Sequence, residues 1–261
     1  MTATSGPISH TPLWLVINLD GAPQRLSAMQ NQCDALGIDL TRVSAMDGRD
    51  LAAETLKSLP SVDATAFKRN TARAVRGGDI GCYMSHLRAM TWFLQSSAEF
   101  AVVMEDDAIL NADTVAVVDA LTAPNAPRDW DMVKLAAEHR LNAFHLRPVF
   151  RRYWLAVNYT RQTSAVIYVV NRRAAEIFER QLLPMVVPYD FAFDRGWALG
   201  LRTRVISPLV AGYGLQPSQI ETATTPKVKS RGRHRVTRVI WELRNDCARV
   251  IYALAARVRR G

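Results

Sequence analysis

The chain has 261 residues, of which 49% are hydrophobic, enough for one sizeable core or for one domain with an appendage. Its formal net charge of +9 is confined to the C-terminal part. Residues 227–261 contain eleven Lys and Arg residues and two acids, so residues 1–226 sum to zero, and the composition does not favour nucleic acid as a partner.

The sequence also limits the expected location of the protein. No apolar run approaches the roughly 20 residues that a membrane-spanning helix needs. The first run, Leu13 to Ile17, is shorter than the core of a secretory signal, and no Lys or Arg precedes Arg25. The three cysteines lie far apart without metal-type spacing, which is typical of reduced thiols. We therefore expect a cytoplasmic protein.

The first predicted elements form a βαβ unit. A strand is expected at Trp14 to Leu19, followed by turn residues, a helix and a second strand at Leu40 to Ser44. The ligand crevice of such a unit lies beyond the carboxyl ends of its strands. Asn18, Asp20 and Arg25 fall at that position, and the alternative for Arg25 is a plain surface position on the helix.

The segment from residue 54 to residue 76 is less regular and carries Lys68, Arg69, Arg73 and Arg76. We expect a mobile connection beside the site, because basic residues of loops often hold phosphates. A solvated surface is the alternative for each of these residues.

The next helix is predicted to begin inside a glycine-rich turn, with Asp79 as its N-cap. Such a start presents free backbone N–H groups that can hold a diphosphate, so Gly78, Asp79 and Gly81 are candidate ligands. Ser85 and His86 lie more than one turn further along. They either line the pocket or satisfy each other against the core.

Three acids follow the apolar run Val102 to Met104, a pattern that predicts a buried parallel strand ending at solvent. Because side chains alternate along a strand, Glu105 and Asp107 would share one side and Asp106 would face the other. Two adjacent carboxylates repel unless a cation lies between them, and hard oxygen ligands favour Mg²⁺ or Mn²⁺. We therefore predict a divalent metal on Glu105 and Asp107. The alternative is an incidental acid cluster where a strand leaves for a loop.

Several short motifs occur in a specific order over roughly residues 12–221. They are Val16 to Asp20 with Arg25, Ser44 to Gly48, Gly78 to Cys82 with Ser85 and His86, Val102 to Asp107, Ser164 to Ala175, Pro188 to Asp190, Pro208, and Ser218 to Ile220. In this order and spacing they resemble glycosyltransferase family 25, the lipopolysaccharide-type β-galactosyltransferases.

The resemblance implies a GT-A-like α/β fold with a single nucleotide-sugar-binding domain and a mostly parallel central sheet. It also implies a UDP-hexose donor, galactose first among the hexoses, a Mn²⁺ (or Mg²⁺) ion on the acids, and inversion at the anomeric carbon. The acceptor would be lipopolysaccharide or another lipid-linked saccharide. The residues expected to contact the nucleotide are Asn18, Asp20, Arg25, Gly78, Asp79, Gly81, Ser85, His86 and Asp106.

Sugar transfer needs a stabilised leaving diphosphate and a base for the incoming hydroxyl. The metal on Asp107, with Glu105 on metal or ribose, would supply the first. For the second we favour Asp190, because Pro188 presets a helix start and places Asp190 near its amino end. Asp194 would lie one turn on along the same face. Helix capping is the alternative for Asp190.

The tail has a different character from the body, and we divide the chain into a transferase domain, residues 1–226, and a tail, residues 227–261. After a basic linker, apolar residues recur on one face of a predicted helix among arginines. This apolar stripe consists of Val236, Val239, Ile240, Leu243, Cys247, Val250, Ile251, Leu254 and Val258. Either the stripe docks on an anionic membrane, at the cytoplasmic face of the inner membrane, or it packs on its own domain.

Two other functional classes are compatible with the pattern. A metal-dependent nucleotidyltransferase also pairs acids beside a nucleotide pocket. A non-catalytic membrane or nucleic-acid adaptor would use the basic tail alone.

Overall fold

The structure, a computed structural model, describes residues 11–49, 51, 55, 58–139, 141–214 and 233–259. Its strands are β1 (Leu13–Asn18), β2 (Leu40–Ser44), β3 (Phe100–Glu105), β4 (Ala108–Ile109), β5 (Met132–Lys134), β6 (Ala143–Phe150), β7 (Tyr153–Asn158), β8 (Ile167–Asn171), β9 (Thr203–Ser207) and β10 (Gly212–Tyr213). Its helices are α1 (Pro23–Ala35), α2 (Ala64–Thr71), α3 (Gly77–Gln95), α4 (Ala112–Thr122), α5 (Arg172–Gln181), α6 (Tyr189–Ala192), α7 (Gly196–Leu199) and α8 (Arg233–Val258).

Eight strands form the central sheet in the order β2-β1-β3-β8-β5-β9-β7-β6. Strands β8 and β7 are antiparallel to both of their neighbours, so the other six strands run in one direction. The predicted α/β class with a mostly parallel central sheet is confirmed. Strands β4 and β10 pair separately as a short antiparallel ribbon.

Helices cover both faces of the sheet, which is why its central strands are apolar throughout. On β1, Leu15 and Ile17 pack into the core under α3 and α5, whereas Trp14 and Val16 pack toward α1 and α4. The predicted βαβ unit is present, because β1 pairs in parallel with β2 and α1 connects them. The carboxyl ends of β1, β2 and β3 therefore meet at one edge of the sheet.

Strand β3 ends at Glu105, and its pairing with both neighbouring strands ends at or one residue before this position. Its last partner on β1 is Ile17, opposite Glu105, and its last partner on β8 is Ile167, opposite Met104. The next two residues form a turn, and the chain then enters the β4–β10 ribbon. The acids that follow Met104 consequently project from the edge of the sheet.

Two local predictions are corrected by the structure. The irregular segment before α3 contains helix α2, whose N-cap Asp63 accepts a hydrogen bond from the backbone of Ala66. Helix α3 begins at Gly77 rather than after Asp79. Asp79 is the third residue of that helix, and its carboxylate accepts a hydrogen bond from the backbone N–H of Arg76.

The predicted tail helix is α8, with 26 residues from Arg233 to Val258. It packs on the body through one side, where Asn245, Arg249 and Ala253 are buried. None of the helices in the described part of the chain is long and apolar enough to cross a membrane. Residues 227–232 of the predicted basic linker lie outside the described residues, as does the motif Ser218 to Ile220.

Candidate active site

A cleft opens where the carboxyl ends of β1 and β3 meet the amino end of α3. The loop of residues 45–49, which follows β2, forms its third side. The predicted site residues that line this cleft are Arg25, Gly78, Gly81, Ser85, His86, Glu105, Asp106 and Asp107. Residues far apart in the chain thus meet at the edge of the sheet where the βαβ topology places a ligand crevice.

Arg25 of α1 binds both aspartates that follow β3. Its Nη2 lies 2.8 Å from Oδ1 of Asp106 and 3.1 Å from Oδ2 of Asp107. The predicted alternation, with Asp106 facing away, is not kept because β3 ends at Glu105. Arg25 is mostly buried at this position, so it is part of the cleft and not a plain surface residue.

Asp107 is a half-buried acid of the cleft with one unsatisfied oxygen. Its Oδ1 is buried and has no hydrogen-bond partner among the described residues. Burial raises the pKa of Asp107 to about 6; the charge of Glu105 adds to the rise and that of Arg25 opposes it. A divalent cation would satisfy the orphaned oxygen and offset the repulsion between the acids. The residues therefore fit the metal that the resemblance implies.

Asn18 orients Asp106. Its side-chain amide donates to Oδ2 of Asp106 at 2.7 Å and to the carbonyl of Ala22 at 3.1 Å. Asp20, in contrast, lies outside the cleft, where it accepts hydrogen bonds from Arg42 and Ser44 at the β1–β2 edge. These two hydrogen bonds lower the pKa of Asp20.

Two glycines in the first two turns of α3, Gly77 and Gly81, let the loop of residues 45–49 pack against the helix. A Cβ atom on Gly81 would lie 2.6 Å from the carbonyl oxygen of Met46, and one on Gly77 would lie 1.7 Å from that of Gly48. Ser85 joins the same two segments, because its hydroxyl accepts from the backbone N–H of Met46 at 2.8 Å. The glycines therefore allow two backbone segments of this chain, the start of α3 and the loop of residues 45–49, to approach each other closely.

Asp79 does not line the cleft. Its carboxylate is held by both terminal nitrogens of Arg73, at 2.6 and 2.8 Å, and it caps the first turn of α3. Arg73 and Asp79, which the sequence suggested for phosphate binding, are therefore paired with each other.

His86 connects the acids to the core. Its Nε2 lies 3.4 Å from Oε1 of Glu105, and its Nδ1 lies 3.0 Å from the hydroxyl of Tyr168. The Sγ of Cys82 completes a group of three ligand atoms, one from each side chain, that lie within 4.8 Å of one another. This cluster can also hold a metal, of the softer kind that sulfur and imidazole prefer.

Cys82 was not predicted from the sequence as a site residue. Burial raises the pKa of its thiol well above the usual range, with the charge of Glu105 adding to the effect, so the thiol is protonated in the free cleft. The available signal was the spacing of Cys82 and His86, since residues four apart share one face of a helix.

Asp190 lies close to the acids without lining the cleft. The preceding residue, Tyr189, stacks on His86 with ring centroids 4.3 Å apart. Burial raises the pKa of Asp190, and Glu105 is near enough to add to the rise. The backbone N–H of Ser164 donates to Oδ2 of Asp190 at 3.4 Å, and Ser164 has a φ of 89°, a strained value for a residue with a side chain.

Asp194 is not brought to the cleft. Helix α6 ends at Ala192, so the predicted shared face does not extend from Asp190 to Asp194. The carboxylate of Asp194 is buried in an ion pair with Arg249 of α8 and lies 3.9 Å from Nζ of Lys134. The structure places Asp194 where the tail helix meets the body.

Comparison with known proteins decides the family. The family model described as glycosyltransferase family 25 (LPS biosynthesis protein) matches residues 12–193, more than half of the chain. The chain belongs to glycosyltransferase family 25. The predicted family is confirmed, and the α/β architecture agrees with the GT-A-like fold expected for it.

Relatives within family 25 match a shorter segment. A glycosyltransferase 25 family member of Aedes aegypti is 34% identical over 97 residues, and one of Drosophila melanogaster is 29% identical over 97 residues. Each match covers 35% of this chain and 15% of the relative. A solved structure of a glycosyltransferase involved in the glycosylation of the major capsid of PBCV-1 matches at 11% identity and a TM-score of 0.31, over 65% of this chain and 64% of that one.

Proposed function

We propose that this family 25 protein transfers a hexose, galactose first among the candidates, from a UDP-sugar to a hydroxyl of a lipid-linked saccharide such as lipopolysaccharide, with inversion. The observation that carries the proposal is Asp107. It is a half-buried acid with a buried, orphaned oxygen and a pKa raised to about 6, beside two other acids at the ligand edge of the sheet. Such an acid is poised for a cation and its anionic ligand.

The chain's own residues supply the two requirements of the transfer. Glu105 and Asp107 would hold Mn²⁺ or Mg²⁺, which when bound neutralises charge on the departing diphosphate. Arg25, which pairs with Asp106 and Asp107, is a cation of the cleft that can turn to the diphosphate.

Asp190 is the proposed general base. The acceptor oxygen attacks the anomeric carbon, the bond from that carbon to UDP breaks, and the hydroxyl proton goes to a carboxylate oxygen of Asp190. Burial raises the pKa of Asp190, and this makes it a stronger proton acceptor than an exposed aspartate; the charge of Lys134 opposes the rise, which keeps the carboxylate available.

The tail helix supports a place at a membrane surface. Its apolar stripe faces away from the body: Val236 is 61% exposed, Ile251 68% and Val258 75%. The opposite side docks on the body, where the hydroxyl of Tyr252 donates to the carbonyl of Leu201 at 2.9 Å. We propose that the stripe lies on an anionic bilayer, at the cytoplasmic face of the inner membrane, where a lipid-linked acceptor is confined.

Hydrolysis of the donor tests the proposed reaction. The full-length protein should release UDP slowly from a UDP-hexose in the presence of Mn²⁺, and chelation of the metal should stop the release. Turnover of nucleoside triphosphates in place of UDP-sugars would assign the cleft to nucleotidyl transfer. If the protein shows neither activity but still binds vesicles, it is an adaptor.

Sedimentation with vesicles tests the tail. Wild-type protein should sediment with anionic vesicles at low salt, and the double variant Ile251→Glu/Leu254→Glu should remain in the supernatant. Trp92→Glu is the matched control, because Trp92 is an exposed apolar residue of α3, 48% accessible and outside the tail. Wild-type protein that ignores anionic vesicles would remove the membrane proposal.

A further inference from the structure

A second cleft lies between the tail helix and the body and encloses about 510 Å³. Three arginines line it: Arg69 of α2, Arg195 just before α7 and Arg244 of α8. Trp197 and Trp241 form part of its walls. We call it the arginine cleft. None of the described residues that line it is acidic.

Arg195 is the most buried of these cations. Its Nε is shielded from solvent and has no hydrogen-bond partner among the described residues. The guanidinium stacks over the ring of Trp241, 5.6 Å from the centroid. Burial lowers the pKa of Arg195, and the nearby charge of Arg249 adds to the effect. A buried donor without an acceptor is costly, so this group gains from an anion.

The other two arginines are exposed and have no acidic partner among the described residues. Arg244 is exposed and makes no ion pair with any described residue, and the Nε of Arg69 reaches only Oδ1 of Asn70, at 3.5 Å. Other arginines at the same junction are paired: Arg249 with Asp194, and Arg161 with Glu242 and Asp246. The arginine cleft is thus a concentration of positive charge without the carboxylates that the rest of the junction has.

We propose that the arginine cleft binds a phosphate or diphosphate group, carried by a lipid headgroup or by a phosphorylated saccharide. Guanidinium groups bind phosphate oxygens through paired, charge-assisted hydrogen bonds, and three of them can share one dianion. The inference goes beyond the proposed transfer reaction and does not depend on it.

The position of the cleft indicates the lipid headgroup as the first source. Ile240 belongs to the apolar stripe and also lines the cleft, next to Arg244 one turn further along the same helix. A helix whose stripe rests on a bilayer therefore brings the mouth of the arginine cleft to the level of the headgroups. A soluble phosphorylated saccharide could reach the same cleft from the solvent.

Calorimetry with inorganic pyrophosphate, in the full-length protein, tests the site. Wild-type protein should bind pyrophosphate, and Arg244→Gln and Arg195→Gln should each weaken the binding about tenfold or more, as expected for the loss of a charge-assisted pair. Arg235→Gln is the matched control, because it removes one charge from an exposed position of the same helix away from the cleft. Arg244 is exposed, so its variant remains informative if Arg195→Gln does not fold.

Arg25→Gln separates this inference from the proposed transfer reaction. Pyrophosphate binding that survives Arg25→Gln and weakens in Arg244→Gln supports the arginine cleft. Binding that is lost in Arg25→Gln and unchanged in Arg244→Gln would place pyrophosphate in the first cleft and overturn the inference, as would the absence of binding.

Vesicles identify the source of the phosphate. Vesicles that contain phosphatidic acid should bind more wild-type protein than phosphatidylglycerol vesicles of equal surface charge, and Arg244→Gln should abolish that preference. Equal binding to both vesicles, with pyrophosphate binding still sensitive to Arg244→Gln, assigns the cleft to a soluble phosphate.

Discussion

Two acid-x-acid segments lie at opposite ends of central strands of the sheet, one at an amino end and one at a carboxyl end. They differ in how far their carboxylates are hydrogen-bonded by the chain itself. Asp129-Trp130-Asp131 precedes β5, and Glu105-Asp106-Asp107 begins at the last residue of β3, a strand that runs in the same direction. Asp131 accepts hydrogen bonds from Arg202, Arg173 and Asn171. Asp107 has one arginine neighbour at 3.1 Å and one oxygen without a partner.

The pKa values follow from this difference. Burial raises the pKa of Asp131, but the hydrogen bonds from Arg202 lower it further, to about 2. Burial raises the pKa of Asp107 to about 6, and its neighbours do not compensate. An acid satisfied by its own chain stabilises the fold, whereas an acid left short of partners is available to a ligand. The spacing of two acids therefore indicates a ligand site only when the acids lie at the carboxyl end of a strand, as Asp107 does, and not at its amino end, as Asp131 does.

The largest effect on stability is expected for Asp131, the acid that is hydrogen-bonded by its own chain. Asp131→Ala should lower the free energy of unfolding by about 3 kcal/mol, because it breaks a buried ion pair and leaves its donors without acceptors. Urea unfolding followed by circular dichroism measures the change, and activity per folded molecule should be retained. Loss of Mn²⁺-dependent activity at unchanged stability would show that the two segments have been assigned the wrong way round.

Asp190→Asn tests the proposed base. Turnover should fall by about 10² while donor affinity changes little, which is the loss expected when a general base is removed and the fold is kept. Steady-state kinetics with varied donor, together with thermal unfolding, separates the two effects. Parallel losses of stability and activity would instead identify Asp190 as a helix cap.

Asp107→Asn should have the opposite effect on stability from Asp131→Ala. The pKa of Asp107 in the folded state is about 6, above the ordinary value of 3.8, so its ionisation opposes folding as pH rises through about 6. In a metal chelator at pH 8 the variant should gain on the order of 2 kcal/mol of unfolding free energy. The gain should shrink as pH falls below 6 and vanish near pH 4. A stability loss at pH 8 would mean that Asp107 is as structural as Asp131.

Arg25→Ala is expected to give the smallest change. Donor binding should weaken about tenfold, with a smaller effect on turnover, because a group that holds the nucleotide acts on ground and transition states alike. The Michaelis constant for the donor measures the effect. Arg147→Ala is a matched control, since Arg147 pairs with Asp129 of the other acid segment. A donor Michaelis constant equal to that of wild type would remove Arg25 from the binding site.

Local sequence patterns predicted the elements that carry the first cleft. The apolar runs and the turn residues placed β1 and β2 within a residue of their observed bounds and predicted a helix between them, and the apolar run before Glu105 predicted β3. The tail helix was equally visible, because its apolar stripe repeats over about six turns at helical spacing.

Pairings between distant residues could not be predicted in the same way. Asp194 looked like a neighbour of Asp190 along a helix, but the helix has only four residues, and Asp194 pairs with Arg249, 55 positions away. Asp79 looked like a phosphate-binding cap because nothing in the local pattern reveals that Arg73 folds back on it. The direction of the apolar stripe likewise depends on which side of α8 the body binds.

The most direct test of the central claim is a calorimetric titration of UDP into the wild-type protein and Asp107→Asn, each with and without Mn²⁺. If the under-satisfied acids at the end of β3 form the metal and donor site, wild-type protein binds UDP only with Mn²⁺ present, and Asp107→Asn, though folded, does not bind it. Equal Mn²⁺-dependent binding of UDP by both proteins, or no binding by the wild type, would contradict the assignment.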